Sequence, residues 1–176
     1  MPLQLSVEVA AEEWPLREAF VISRGAKTEA RVVVATVRDG VHVGRGEAVP
    51  YARYGETVAG VVEQIRGAQV SSRAALMRDL RPGAARNALD CALWDLEAKR
   101  SGKRVHELAG LVQPRSLLTA FTLSLGTPEA MAAKASSVPH LTLLKLKLGG
   151  DGDEARMRAV RAARPDARLV ADANEA

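Results

Sequence analysis

From Leu117 onward the chain alternates apolar runs with amphipathic segments, and this alternation restricts the fold more than any other feature of the sequence. Leu117 to Leu125 reads as a strand, and Thr127-Pro128-Glu129 supplies a cap, a first-turn proline and an early acid for a helix reaching about Ser136. Leu141 to Leu148 is a second strand. Asp151 and Glu154 have capping-box spacing ahead of a helix that ends before Pro165, and Ala167 to Ala171 begins a third strand. A β-α-β-α-β order implies parallel strands joined by right-handed crossovers, as in a barrel or a doubly wound sheet. The predicted class is α/β.

The preceding residues follow another plan. Leu3 to Val9 alternates apolar and polar, and the Val-rich runs Arg31 to Val37 and Val41 to Val49 flank Asp39-Gly40, a strong hairpin signal. Glu13 to Thr28, with Pro15, Arg17, Phe20, Arg24 and Gly25, has no clean period and reads as a mobile loop. Val58, Val61, Val62 and Ile65 recur at helical steps before Gly67, and Ala85 to Arg100 repeats the pattern more clearly, with Gly102 just past its end. The expectation is an α+β domain over residues 1–112 and the start of a β/α domain over 113–176.

Composition narrows the partners. Hydrophobic residues at 47% and charged residues at 26% belong to a chain that can bury a core, and aromatics at 3% require that core to be built from Ala, Leu and Val. The 25 Lys and Arg against 21 Asp and Glu are mostly arginines spread along helical segments, without the clustered, aromatic-interleaved patch of a nucleic-acid binder. No nucleic-acid or membrane partner is expected, since no segment has the uncharged length to span a bilayer. Cys91 stands alone, and Met1 to Ala11 lacks the features of a signal peptide, so a cytoplasmic setting is expected.

The residues that could carry chemistry lie in the second half. In Leu143 to Leu148 the two-residue period sends Lys145 and Lys147 to one face and the leucines at 144, 146 and 148 to the other. An isolated K-x-K is most simply a strand with one wet face. Inside a parallel β/α unit, however, the face away from the helices is normally interior, and neighbouring positive charge with partial desolvation lowers a lysine's pKa towards that of a proton acceptor. Asp172 and Asn174 share a face at the carboxyl end of the third strand, where β/α sites are built, and Lys147 is expected on the adjacent strand end. Asp172 is a candidate metal ligand or, equally, the cap of a following helix. Arg24 is a candidate clamp for a substrate carboxylate, or a solvated loop residue. Thr119 and Thr122 offer hydroxyls, though threonine is also simply a good strand former. Gly44-x-Gly46 and Gly149-Gly150-x-Gly152 fit neither a Walker loop nor a dinucleotide fingerprint. His42, His106 and His140 lack metal-ligand spacing, and there is no G-x-S-x-G elbow.

Taken together, four stretches resemble the enolase superfamily and, within it, the muconate-lactonizing group that includes the L-Ala-D/L-Glu dipeptide epimerases. They are Ile22-Ser23-Arg24-Gly25, the region from Gly46-Glu47-Ala48 to Tyr54-Gly55-Glu56-Thr57, the helix Ala88 to Lys99, and Lys145-x-Lys147 followed by Asp172-x-Asn174. The pattern usually has Pro where Arg104 stands and a large aliphatic residue where Ala109 stands.

The resemblance implies an amino-terminal capping domain over a (β/α)₇β barrel that stops here after its third strand. It implies Lys147 as the base that takes a proton next to a carboxylate, Lys145 as support for the carboxylate and the enolate charge, and Asp172 as a ligand of Mg²⁺. Arg24, Thr119, Thr122 and Asn174 would be substrate-side contacts. A small-molecule substrate, an Ala-Glu-type dipeptide, follows from the same likeness. Cycloisomerase, o-succinylbenzoate synthase and N-acylamino acid racemase activities share these residues. The family's second acid/base lysine and two further metal carboxylates are expected beyond Ala176, so the 176 residues alone are expected to lack turnover. A different class of reading is a non-catalytic fragment that associates, as a homo-oligomer or with a partner, through an unpaired third strand.

Overall fold

The structure, a computed structural model, describes residues 5–23 and 25–173. The chain divides into two compact units, one holding the residues up to Pro15 with Glu29–Pro114, the other Leu16–Thr28 with the residues from Arg115 on.

A three-stranded sheet runs in the order β1 (Ser6–Ile22), β2 (Gly25–Arg38), β3 (Val43–Ala48), its strand residues up to Pro15 and from Glu29 on belonging to the first unit. Helices α1 (Val58–Gly67), α2 (Arg73–Asp79), α3 (Ala84–Ser101) and α4 (Val105–Leu108) follow. The hairpin signalled by Asp39-Gly40 forms: β2 and β3 pair antiparallel from Arg38 opposite Val43 to Val33 opposite Ala48. Asp39 Oδ1 accepts the N–H groups of Val41 at 3.0 Å and His42 at 2.7 Å, closing the turn on its own side chain.

Strand β3 turns Gly44, Gly46 and Ala48 inward, opposite Val37, Ala35 and Val33 of β2. Those positions are small because α3 lies directly on them. A Cβ on Gly46 would stand 2.5 Å from Ala92 N and 2.8 Å from Cys91 Cβ, and one on Gly44 would stand 2.6 Å from Leu96 N. Helix α3 meets the strand at Ala88, Cys91, Ala92 and Leu96, and Ala85, Leu89 and Leu93 are buried in the same core. The core is thus Ala, Leu, Val and Ile, as the aromatic-poor composition requires. The first residue of α3 is held from a distance: Glu56 accepts Ala84 N at 2.6 Å through Oε1 and Tyr51 N at 3.1 Å through Oε2. Gly83, at the cap position, has no side chain to do this.

Residues 13–22 and 25–28 are strand, not the mobile loop that the irregular pattern suggests. Strand β1 continues to Ile22 and β2 begins at Gly25. The period is unreadable because residues 13–19 are exposed on both faces and residues 20–22 are all half-buried, so no apolar alternation marks the segment. Pro15 is tolerated because β1 is an edge strand of its sheet.

In the second unit β4 (Ala120–Leu123), β5 (Leu143–Lys147) and β6 (Arg168–Asp172) form a parallel sheet in that order. Helices α5 (Pro128–Ser136) and α6 (Asp153–Ala163) provide the crossovers. Leu123, Leu144 and Leu146 pack with Met131, Ala135 and Val160 in one buried cluster on the helix side. The Thr127 hydroxyl caps α5 by accepting Ala130 N at 3.2 Å, and Pro128 occupies its first turn as expected. Two boundaries differ from the sequence reading. Strand β4 is only four residues long, Leu117 and Leu118 before it being exposed. The start of α6 is capped by Gly152 in the left-handed region rather than by an Asp151–Glu154 box; Glu154 pairs instead with Arg158 at 2.6 Å. Near the amino ends of β5 and β6, buried Arg164 donates to the carbonyls of Val138 and Leu141, each at 2.9 Å, and forks onto Asp166. Among the described residues, no helix is long and apolar enough to cross a membrane.

Candidate active site

The site is built by the register of three parallel strands. Because Leu144 and Leu146 face the helices, Lys145 and Lys147 face the other way. Thr122 stands opposite Lys145 on β4, Val170 opposite Lys145 on β6, and Asp172 opposite Lys147 at the carboxyl end of β6. The two ammonium groups converge on one oxygen: Lys145 Nζ lies 2.7 Å and Lys147 Nζ 2.8 Å from Asp172 Oδ2. Their surroundings differ, since the Lys147 side chain is 11% exposed, Asp172 23% and Lys145 36%.

Two ammonium groups and one carboxylate carry net positive charge at the carboxyl end of parallel strands. That arrangement attracts a carboxylate-bearing molecule and can hold negative charge developing on it. Asp172 fits a hard cation as a single oxygen ligand. Such an ion takes about six oxygens, and among the described residues no group of three or more His, Cys, Asp or Glu is placed to hold a metal.

Of the other predicted residues, Thr122 is half-buried on the lysine face, whereas Thr119 lies before β4 and is exposed. Strand alternation counts Thr119 with Phe121 and Leu123, on the opposite side from Lys145. Arg24 and Asn174 lie outside the described residues.

A feature that the sequence did not reveal lies just past Lys147. The Asp153 carboxylate accepts Gly149 N at 3.0 Å and Gly150 N at 2.8 Å, and Arg156 Nη1 at 2.8 Å. Burial opposes ionisation of Asp153, but these donors outweigh it and hold its pKa below the usual carboxylate value. Arg156 Nε also reaches Gly126 O, in the segment after β4, at 2.9 Å. The partners of this pair are mostly backbone groups, which leave no residue signature.

The profile of the mandelate racemase / muconate lactonizing enzyme amino-terminal domain matches residues 4–110. The chain belongs to this family. It carries the amino-terminal capping domain of the enolase superfamily and, after it, a parallel three-stranded sheet. The L-Ala-D/L-Glu epimerase of Escherichia coli K12 is 45% identical over 177 residues, covering 97% of this chain and 55% of that protein. A crystal structure of an enolase family member from Agrobacterium tumefaciens, with bound sodium and L-Ala-L-Glu, superposes with TM-score 0.87 at 48% identity, over 98% of this chain and 54% of that one. The dipeptide epimerase of Cytophaga hutchinsonii, solved with Mg and D-Ala-L-Val, superposes with TM-score 0.82 at 27% identity, over 99% of this chain and 52% of that one. The chain spans about half the length of the curated relatives it matches.

Proposed function

We propose that the protein acts as an epimerase of Ala-Glu-type dipeptides, removing the proton next to a carboxylate. The observation that carries this reading is the convergence of Lys145 and Lys147 on Asp172 at the carboxyl end of β5 and β6. The substrate class is supported by the likeness to the E. coli epimerase and to the Agrobacterium structure that holds L-Ala-L-Glu.

In this reading Lys147, the more buried amine, accepts the α-proton in its neutral form and becomes the ammonium. Lys145 remains an ammonium group and stabilises the negative charge that the substrate carboxylate gains as the proton leaves. Asp172 orients both amines and would be one oxygen ligand of a bound Mg²⁺. A bound Mg²⁺ supplies Lewis-acid stabilisation of the substrate carboxylate. Thr122 is placed for a hydroxyl contact from the neighbouring strand, and Arg24 and Asn174 complete the proposed substrate contacts; Thr119, on the side away from Lys145, is not among them. Residues 1–112 serve as the cap and 113–176 as the first part of the barrel. The single cysteine agrees with a cytoplasmic setting.

The test is epimerisation of L-Ala-L-Glu and L-Ala-D-Glu by the product of the complete gene, followed by proton NMR with Mg²⁺ and again with excess EDTA. Interconversion that EDTA abolishes is expected. Turnover of an N-acylamino acid with neither dipeptide epimerised would overturn the substrate assignment.

A further inference from the structure

We infer that Asp153 and Arg156 are positioning residues for Lys147, acting by locking the glycine-rich turn that follows it. This turn, Gly149-Gly150-Asp151-Gly152, has Gly150 at φ 101° and Gly152 at φ 82°, both in the left-handed region. Glycine loses more conformational freedom on ordering than any other residue, so such a turn does not hold its shape unaided.

The structure fixes it from three sides. Leu148 N donates to Asp172 O at 3.0 Å, joining the carboxyl ends of β5 and β6. Asp153 draws Gly149 N and Gly150 N onto its carboxylate. Arg156 binds Asp153 Oδ1 and Asp151 O, each at 2.8 Å, and carries the restraint across to Gly126 O. A carboxylate serving only to start α6 would accept from the first N–H groups of that helix. The oxygens of Asp153 point back to the turn instead, towards the second and third residues after Lys147. A lysine side chain magnifies any tilt of its own backbone, so the turn decides how closely Nζ stays beside Asp172.

The consequence for catalysis rests on the reading of Lys147 as the base, but the positioning is measurable without turnover. Trace acetylation of the 176-residue chain, read by mass spectrometry, gives the labelling of Lys147 relative to exposed Lys103. Asp153→Ala is expected to raise that ratio about fivefold, as local opening would after the loss of one net hydrogen bond's worth of stability. Asp153→Asn, which keeps one acceptor oxygen, is expected to fall between Asp153→Ala and wild type. Arg156→Lys removes the reach to Gly126 without removing charge and shifts the ratio the same way, which decides the matter if Asp153→Ala fails to fold by urea titration. An unchanged ratio in the folded variants overturns the proposal. If labelling responds but the complete gene product exchanges no α-proton, the functional reading fails and the positioning role stands. If exchange occurs and labelling does not respond, the reverse holds.

Discussion

Gly46→Ala tests the packing on which the first unit depends. The added methyl would lie 2.5 Å from Ala92 N and 2.8 Å from Cys91 Cβ, and closer still to the carbonyl oxygen of Ala88. Non-bonded heavy atoms are at ease near 3.5 Å, so β3 and α3 must part by about 1.5 Å. Neither side can give way locally. The obstructing atoms are mostly helix backbone, and β3 is held by its ladder to β2, with Gly46 opposite Ala35. Overpacking of this kind costs up to about 3 kcal/mol, and the upper end applies where backbone meets backbone. With a urea m-value of about 2 kcal/mol/M, the unfolding midpoint should fall by about 1.5 M. The assay is urea titration of the 176-residue chain followed by far-UV circular dichroism, with Gly67→Ala as the control. A Cβ at Gly67, the last residue of α1, meets nothing within 4 Å, so that substitution should leave the midpoint unchanged or raise it. A Gly46→Ala midpoint equal to wild type would refute the close approach of β3 and α3.

Glu56→Ala should cost about 1 kcal/mol by uncapping α3, and Glu56→Gln, which keeps an acceptor oxygen, should cost less; both are read by the same titration. Burial disfavours the ionised Asp95, but hydrogen bonds from Lys99 at 2.6 Å and Arg45 N at 2.8 Å outweigh it and hold its pKa below the usual value. Its contribution to stability is therefore full above about pH 4 and lost as pH falls through the lower folded-state pKa. Asp95→Asn should accordingly flatten the acid limb of the stability curve measured by thermal melts between neutral and acid pH. Arg164→Lys should lower the melting temperature more than Arg158→Lys, because the buried fork of Arg164 onto Asp166 and its carbonyl contacts cannot be rebuilt by one ammonium group, whereas Arg158 is solvated.

What the sequence disclosed is what leaves a period. The alternation beyond Leu117 and the shared face of Lys145 and Lys147 were legible because one side of each element is buried, which imposes period 2 on β5 and near 3.6 on α3. Strand β1 beyond Glu13 was not legible, since residues 13–19 are exposed on both faces and residues 20–22 are half-buried on both, so neither stretch alternates. Gly44 and Gly46 read only as a failed phosphate-loop template, because a close approach between strand and helix is a tertiary property. The turn beyond Lys147 was misassigned to an Asp151–Glu154 box. The acid that acts there is Asp153, which binds the N–H groups of Gly149 and Gly150 rather than those of its helix. The adjacency of Lys147 and Asp172 follows from a single crossover helix, but the meeting of both amines at one carboxylate oxygen depends on the register, which only the structure supplies.

Removal of the α-proton by Lys147 is read out by exchange in D₂O. The complete gene product and its Lys147→Ala variant would each be given L-Ala-L-Glu and L-Ala-D-Glu separately, with deuterium incorporation at the glutamyl α-carbon followed by NMR. A loss of about 10³-fold in exchange from the epimer whose α-proton faces Lys147 is expected, the scale of a missing general base. Exchange at wild-type rates from both epimers would contradict it.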